Sequence, residues 1–597
     1  MNIHTIKPII SNFLAVLSFV EKKNKFKYLF LQIHIFFSSI LETLTIFTII
    51  PIIESLNNSS DSRFLIFLGN FIEFKYLSPT YFIISFCLFL ALSNLYMIII
   101  KKKIIDFSYV LMLDLQKKLF KKIIHNKYEF FIGKDIAYFN NLILHETQRV
   151  KGGFIESSLF ILSQMLLVTF TFIGLMIYDF KVTILIILIL FIFYLVYIFL
   201  VSDRLLDASK LNTKFKKDTI QYLNDIFSVI KTLVFKKNKF KFYEKLESIL
   251  IQNYKTNKFE QIISAIIKNS FEIYFLIIII SIFFLTDKQL QINTLLSYSV
   301  FAFAAYKIIP SFHVIYSHLI SFLGSSNPLK IIAAELLNKN VYPEIIKDNF
   351  SIKKVKLNNV SFSYNKTKNV LNNINYELQE NKIVGICGRS GSGKTTFIDL
   401  VSGLMSPTHG EILINEKNYE NSNEQLISNS AYCSQKTILI DDTIENNICL
   451  DASDTIDKKL LLKAIKIAQL EDFVKNFKNG IHTIIGEEGI RVSGGEAQRI
   501  SIARTIYSNR KFIFFDESLN NLDMITSKKI LQNFKELNDS KTIFFITHDL
   551  RLLIDFEEVL IFNNGELVEN GSYSKLKEKS KLFMELLDSE TVKNFDC

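Results

Sequence analysis

Tryptophan is absent from this sequence and cysteine is scarce, with five in 597 residues (Cys87, Cys387, Cys433, Cys449 and Cys597). No two of them form a CxxC pair, so neither a disulfide framework nor a zinc site is expected, and the soluble part belongs in a reducing compartment. The missing tryptophan, beside 56 phenylalanines, reads as nucleotide-composition bias without functional content. A cleavable leader is not expected either. The N-terminal stretch MNIHTIKPIISNFLAVLSFVEKKNKFK has a weak apolar run and no small-residue cleavage site, and fits an amphipathic segment lying along the inner membrane surface.

What the chain has in excess is positive charge and apolar surface. The formal net charge is +11, and a basic balance is one footprint of nucleic-acid binding. Here the lysines gather beside apolar spans, as at Lys101-Lys102-Lys103, Lys216-Lys217 and the run KKNKFK from Lys236. Orientation in a membrane accounts for that placement, so no nucleic-acid partner is expected. Hydrophobic residues make up 49% of the chain and the mean hydropathy is +0.26. These values are too apolar for a wholly soluble chain and too polar for one that spans a bilayer throughout, so a membrane part and a soluble part are implied.

A spanning helix needs about 20 mostly apolar residues. Six stretches qualify: Tyr28 to Ile53, Pro79 to Ile100, Gly153 to Tyr178, Lys181 to Val201, Ile262 to Leu285 and Ile292 to Phe322. The connection YDFK (Tyr178 to Lys181) is too short to leave the membrane surface, so the third and fourth spans form a hairpin. Segments Lys101 to Lys151 and Arg204 to Lys258 are long and lysine-rich, which places them and both termini in the cytosol. Each reads as helical at both ends with a polar break near the middle, exemplified by YEFFIGKDIAYFNN (Tyr128 to Asn141) and KKDTIQYLNDIFSVIK (Lys216 to Lys231). Short transverse helices set against a soluble domain are expected there. Ionisable residues within spans are functional candidates by default. His34 and Glu42 interrupt the first span, and Lys307, His313 and His318 lie in the sixth; Glu42 and Lys307 are the candidates for touching a substrate.

From about Ser351 strands and helices of ordinary polarity alternate. Within them, Gly388-Arg389-Ser390-Gly391-Ser392-Gly393-Lys394-Thr395-Thr396 is a glycine-rich loop between the strand KIVGIC and a helix. Its backbone N–H groups would turn toward phosphates, Lys394 would reach the β/γ oxygens, and Thr395 would offer its hydroxyl to Mg²⁺. A second apolar strand, KFIFFDE, ends in acid: Asp516 would hold Mg²⁺ through water and Glu517 would act as general base on the attacking water. The strand TIFFITHD brings His548 toward the γ-phosphate. Ser493-Gly494-Gly495 opens a further helix whose N–H groups and dipole make an anion site. With Lys394 already holding the nucleotide, that second site cannot serve the same ATP within one protomer.

These motifs, in this order, resemble ATP-binding cassette (ABC) transporters, over essentially the whole chain. The resemblance implies that the signature loop Val492-Ser493-Gly494-Gly495-Glu496 is read across a dimer and that Tyr364 stacks on adenine. It also implies that Gln435 senses the γ-phosphate, joins Thr395 and Asp516 at the metal, and couples to the membrane domain. Asn520-Asn521-Leu522-Asp523 would be the loop between the two sites. Two departures stand out: Glu496 where Gln is commonest, and Asn520-Asn521 where Ser-Ala is usual.

The fold expected is a polytopic α-helical membrane domain of six transmembrane helices in the type I exporter (type IV ABC) arrangement, followed by an α/β P-loop NTPase cassette. The membrane domain with two coupling helices would take residues 1–325, a linker 326–350 and the cassette 351–597. The membrane-first order resembles exporter-type half-transporters, and within them bacterial lipid and lipid-linked oligosaccharide flippases of the PglK and MsbA kinds. AAYKIIPSF (Ala304 to Phe312) and an external helix at FLIFLGNFIEF in the 54–79 loop carry that likeness.

The resemblance implies a homodimer in the bacterial cytoplasmic membrane, a heterodimer being the other arrangement. It would use ATP and Mg²⁺ to export or flip a lipidic or amphipathic substrate by alternating access, a lipid-linked saccharide or glycolipid first among them. A drug or peptide exporter of the same fold is the alternative, as is an ATP-gated channel or regulator on the same scaffold. The first 27 residues are too short for an N-terminal peptidase domain.

Overall fold

The computed structural model describes residues 11–16, 18–19, 21–52, 79–236, 239–285, 292–338, 352–365, 368–418, 422–450, 456–486, 492–535 and 541–595. The outer loop, 54–78, with its expected external helix, and the linker beyond 338 lie outside them. The chain divides into two compact units, one of Met1–Asn126 with Gly133–Val341 and the other of Lys127–Ile132 with Tyr342–Cys597.

The first unit is helical. Its long helices are α1 (Lys22–Phe47), α2 (Pro79–Ile124), α3 (Ser157–Tyr178), α4 (Phe180–Ser228), α5 (Phe240–Leu285) and α6 (Ile292–Gly324), followed by α7 (Ser326–Leu337). Among the described residues four helical stretches are long and apolar enough to cross a membrane: Lys22–Ile52, Thr80–Ile124, Ile136–Tyr178 and Val300–Gly324. The fourth and fifth expected spans fall within α4 and α5. With 46 residues at a rise of about 1.5 Å each, α2 is about 70 Å long, more than twice the hydrocarbon thickness of about 30 Å. The helices therefore run well past the bilayer.

The hairpin between α3 and α4 has a local cause. Asp179 caps α4, its side chain accepting from the backbone N–H groups of Lys181 and Val182 at 3.0 and 3.2 Å. The second cytosolic break falls at Val229, near the end of the stretch 216–231 expected to hold it. Residues 216–228 contain no glycine or proline and continue α4 to Ser228, and the short helix Ile230–Val234 follows. The first short element is the turn Tyr128–Phe130. Segments Asn141–Glu146 and Lys151–Glu156, ahead of α3, are wound as π-helix. In packing, α1 lies against α2 and α3, and α6 against α3, whereas α4 and α5 pack chiefly on each other.

The second unit holds a three-stranded antiparallel sheet, β1 (Val355–Phe362), β2 (Leu371–Leu378) and β4 (His409–Ile414), with β1 in the middle. A six-stranded sheet runs β11-β10-β3-β9-β8-β5. It comprises β3 (Ile383–Gly388), β5 (Ser430–Cys433), β8 (Phe512–Asp516), β9 (Thr542–Ile546), β10 (Glu558–Asn563) and β11 (Glu566–Gly571). All its pairings are parallel except β10 with β11. Strands β8 and β9 are buried at every position, and apolar except at Asp516 and Thr542, because both sheet faces are covered. Successive side chains alternate, so Phe515 and Phe545 enter one core while Phe514 and Phe544 enter the other. These rings stack in pairs, at 4.6 and 5.2 Å between centroids.

Candidate functional site: a nucleotide site at the ends of parallel strands

Parallel strands expose their carboxyl ends at one edge, where ligands of such sheets bind. Strands β3, β8 and β9 deliver there the phosphate loop, the Asp516-Glu517 pair and His548. The loop between β3 and α8 (Lys394–Val401) needs its glycines. Gly388 and Gly393 sit at φ +147° and +99°. A Cβ on Gly388 would overlap the Phe562 carbonyl oxygen, and one on Gly393 would come 2.6 Å from Leu371 Cδ2.

Inside the loop, Lys394 Nζ donates to the carbonyl oxygens of Gly388 and Arg389, both at 3.0 Å. Burial lowers the Lys394 pKa, and the charges of Glu517 and Asp516 oppose that shift. Ser392 Oγ is buried with no hydrogen-bond partner among the described residues, an orphan of the kind a phosphate oxygen would satisfy. Thr395 Oγ1 donates to Asp516 Oδ1 at 3.2 Å, so the hydroxyl and carboxylate meant for Mg²⁺ lie side by side. The residues present fit a magnesium nucleotide.

Glu517 is the most heavily bonded group of the site. His548 Nε2 lies 2.8 Å from its Oε1, while Gln435 Nε2 and Asn520 Nδ2 donate to its Oε2 at 2.7 and 3.1 Å. Its backbone is held at φ +50°, a region rare for any residue but glycine and found where function over-determines geometry. Thus Glu517, His548, Gln435 and Asn520 converge, with Gln435 bonded to the carboxylate expected to act as base. A cavity of about 770 Å³ beside them is lined by Gly388, Arg389, Ser390, Asn520, Leu522 and His548, among others. No signature residue lines it.

The signature loop is built as the sequence pattern implied. Ser493 caps the helix Gly494–Tyr507, its Oγ accepting from Glu496 N at 3.3 Å, while Glu496 Oε2 accepts from Ser493 N at 2.7 Å. Such a capping box uses Glu or Gln alike. The Glu496 departure therefore leaves the helix start intact and ties up one backbone donor, that of Ser493. Tyr364 is exposed and edge-on to Phe362, its hydroxyl 3.2 Å from Thr396 Oγ1. Asp523 caps the next helix through Thr526 N at 2.9 Å.

Sequence reading missed a second layer. Tyr432 OH donates to Asp516 Oδ2 at 3.1 Å, fixing the magnesium-side carboxylate. Burial raises the Asp516 pKa, and the Tyr432 and Thr395 hydrogen bonds pull it back. Asp399, on α8, is pushed up to about 6 by burial and then by the Asp516 charge. Segment 127–132 belongs to this unit, and Glu129 Oε1 accepts from Ser406 N at 2.8 Å. The position of Tyr432, three residues before Gln435 at the end of a strand, was the available signal for it.

In the helical unit Lys307 Nζ and Glu42 Oε1 form an ion pair at 3.5 Å, each side chain 14% exposed. Glu42 Oε2 is buried without a hydrogen-bond partner among the described residues, as is His34 Nε2. The other side of the His34 ring meets Tyr96 OH at 2.8 Å. His318 is engaged by Ser157 Oγ at 3.0 Å and stacked on Phe160 at 4.7 Å.

Two family models match the chain: ABC transporter transmembrane region over residues 28–309 and ABC transporter over 371–520. The ATP-dependent lipid A-core flippase of Pasteurella multocida (strain Pm70) is 34% identical over 220 residues, 36% of this chain and 38% of that protein. The alpha-hemolysin translocation ATP-binding protein HlyB of Escherichia coli O157:H7 is 33% identical over 243 residues, 40% of this chain and 33% of that one. The pediocin PA-1 transport/processing ATP-binding protein PedD of Pediococcus acidilactici is 29% identical over 325 residues, 52% and 43% of the two chains. The matched part thus spans a third to under a half of each relative's length. A solved bacterial Atm1-family ABC exporter with ATP bound shares the fold, with a TM-score of 0.80 at 17% identity over 94% of this chain and 97% of that one. Taken with the phosphate loop, the acid-ended strand and the capped signature helix, these matches establish that the chain belongs to the ABC transporter family, as an exporter-type half-transporter with a membrane region followed by a cassette.

Proposed function

We propose that this protein hydrolyses ATP to export or flip a lipidic or amphipathic substrate across the bacterial cytoplasmic membrane, working as a dimer. The observation that carries the hydrolytic part is the convergence on Glu517. A carboxylate held by His548 and Gln435 next to the Thr395–Asp516 pair is placed to accept a proton from water attacking a γ-phosphate. Bound Mg²⁺, held by Thr395 and Asp516 with Gln435 as the further ligand, would neutralise charge developing on the phosphate oxygens. Lys394 would exchange its two loop carbonyls for the β/γ oxygens, Ser392 Oγ would gain a partner, and Tyr364 would stack on adenine.

The dimer reading draws support from two facts. The cavity beside Glu517 takes no residue from the protomer's own Val492-Ser493-Gly494-Gly495-Glu496, so a second copy would supply that loop. In the helical unit, α4 and α5 pack chiefly on each other, leaving faces that a partner's helices would cover. A symmetric homodimer with both ATP sites working is the economical arrangement. Closure on two ATP and release after hydrolysis would switch the membrane helices between inward and outward packings, with both termini on the cytosolic side.

For the cargo, the Glu42–Lys307 pair supports an acidic headgroup. Charge in a span is placed for function or paired for storage, and here one carboxylate oxygen stays unbonded beside a half-satisfied lysine. A lipid pyrophosphate, as on a lipid-linked saccharide, would displace Glu42 from Lys307 through charge-assisted bonds. The relatives favour a second reading as well, since one is a lipid flippase by its name and two others are named for hemolysin and pediocin. The deciding experiment places purified protein in vesicles and measures ATP turnover with pyrophosphate-linked lipid, lipid A or amphipathic peptide added. Stimulation by the first, lost in Lys307→Ala, is expected; stimulation by peptide alone would replace the lipid reading.

A further inference from the structure

The departure at Asn520-Asn521 enters the site through one contact of Asn520, and Asn521 has no part in it so far. Both side chains are exposed, yet both are bonded. Asn520 Nδ2 donates at 3.1 Å to Glu517 Oε2, the oxygen that also takes Gln435. Asn521 Nδ2 donates at 2.8 Å to Gln498 Oε1. Gln498 lies in the first turns of the signature helix, is fully buried, and has no partner for its Nε2 among the described residues, so losing Asn521 would strip a buried amide further. The backbones are pressed together too, since a Cβ on Gly495 would lie 3.3 Å from the Asn521 carbonyl oxygen and 3.5 Å from Leu522 Cδ2.

We propose that Asn520 and Asn521 are positioning residues forming one latch, which restrains the general base and ties it to the signature helix of the same cassette. The proposal rests on the dimer reading above, in which Glu517 acts on a protomer's own ATP while Ser493-Gly494-Gly495 acts on its partner's. With His548, Gln435 and Asn520 all held against it, the Glu517 carboxylate has little free acceptor capacity for water. Movement of the signature helix onto the partner's ATP would pull Gln498 and hence Asn521. The adjacent residue, Asn520, would then leave Glu517 Oε2, freeing it for the water. A serine-alanine pair cannot do this, because alanine has no donor and serine is one bond shorter than asparagine.

The test is ATP turnover against ATP concentration for full-length protein in vesicles, comparing wild type, Asn520→Ala, Asn521→Ala and the double variant. A single hydrogen bond is worth about 2- to 10-fold in such a balance, and Asn520→Ala is expected to raise turnover at low ATP by that factor. In both single variants the Hill coefficient for ATP should fall toward about 1, the limit of uncoupled sites. The double variant should match the larger single, because one latch is broken once. An unchanged Hill coefficient in the singles, lowered turnover without loss of cooperativity, or effects that multiply in the double variant would each overturn the latch. Asn520→Ser and Asn521→Ser, measured alongside with melting midpoints, separate these outcomes from a folding defect. A Glu517→Gln control that still hydrolyses ATP would instead remove the underlying reading of the base.

Discussion

The two units of this chain treat charge in opposite ways. In the cassette each ionised group at the site is surrounded by partners: Glu517 has three side-chain contacts, Asp516 has Tyr432 and Thr395, and Lys394 has two carbonyls. In the helical unit Glu42 and Lys307 have one long contact between them, and Glu42 keeps an unbonded oxygen. Side chains already gathered by such contacts need only short exchanges of partner to meet a ligand, which suits a site that performs one chemistry on one ligand. A sparsely bonded pair would suit the proposed substrate contact, which has to take up a headgroup and let it go. The difference teaches where rigidity is useful in this protein and where it would trap the cargo.

The strongest way to break the comparison is Glu517→Gln, which keeps the shape and removes the base. Turnover should fall by about 100-fold or more, since a positioned general base contributes about 10²–10⁴, while nucleotide binding measured by a fluorescent ATP analogue persists. Next, Lys307→Ala leaves a buried carboxylate unpaired and should lower stability in detergent by about 3 kcal/mol, read as a melting midpoint. Exchanging the pair (Glu42→Lys with Lys307→Glu) should restore much of that stability without restoring stimulation by an anionic lipid; restoration of both would make the pair structural. Tyr432→Phe should raise the Mg²⁺ concentration needed for half-maximal nucleotide binding by about 2- to 10-fold, the value of one hydrogen bond.

The smallest effect belongs to Asp399. Its pKa is raised to about 6 in the fold from an unfolded value near 3.9, so the folded state binds the proton more tightly. Stability falls as pH rises between those values, and the loss is complete above pH 6. Asp399→Asn should therefore raise the melting midpoint at pH 7.5, by on the order of 1 kcal/mol after allowance for solvent screening, and should make no difference near pH 4.

Much of the cassette was legible because its chemistry is written in contiguous residues. A glycine loop ending in Lys394-Thr395, an apolar strand ending in Asp516-Glu517 and a capped Ser493-Gly494-Gly495 each carry their own structural context. Four of the six expected apolar stretches recur among the described residues as helices long and apolar enough to cross a membrane, and they were legible because a bilayer sets a length that composition must meet. Hidden were contacts between residues far apart in the chain. Tyr432 reaches Asp516 across 84 positions, Glu129 reaches Ser406 across 277, and Glu42 reaches Lys307 across 265. No periodicity encodes such pairings. The exact end of α4 at Ser228 was hidden too, because neither glycine nor proline marks it.

The left-handed backbone at Glu517 has a consequence for anyone improving this protein. Glycine adopts that conformation without penalty, whereas a side chain there stores on the order of 1 kcal/mol or more of strain. Directed evolution scored on heat resistance alone would thus be drawn toward Glu517→Gly and would harvest robust, inert molecules. Any stabilised variant of this transporter should be sequenced at codon 517 before its durability is admired.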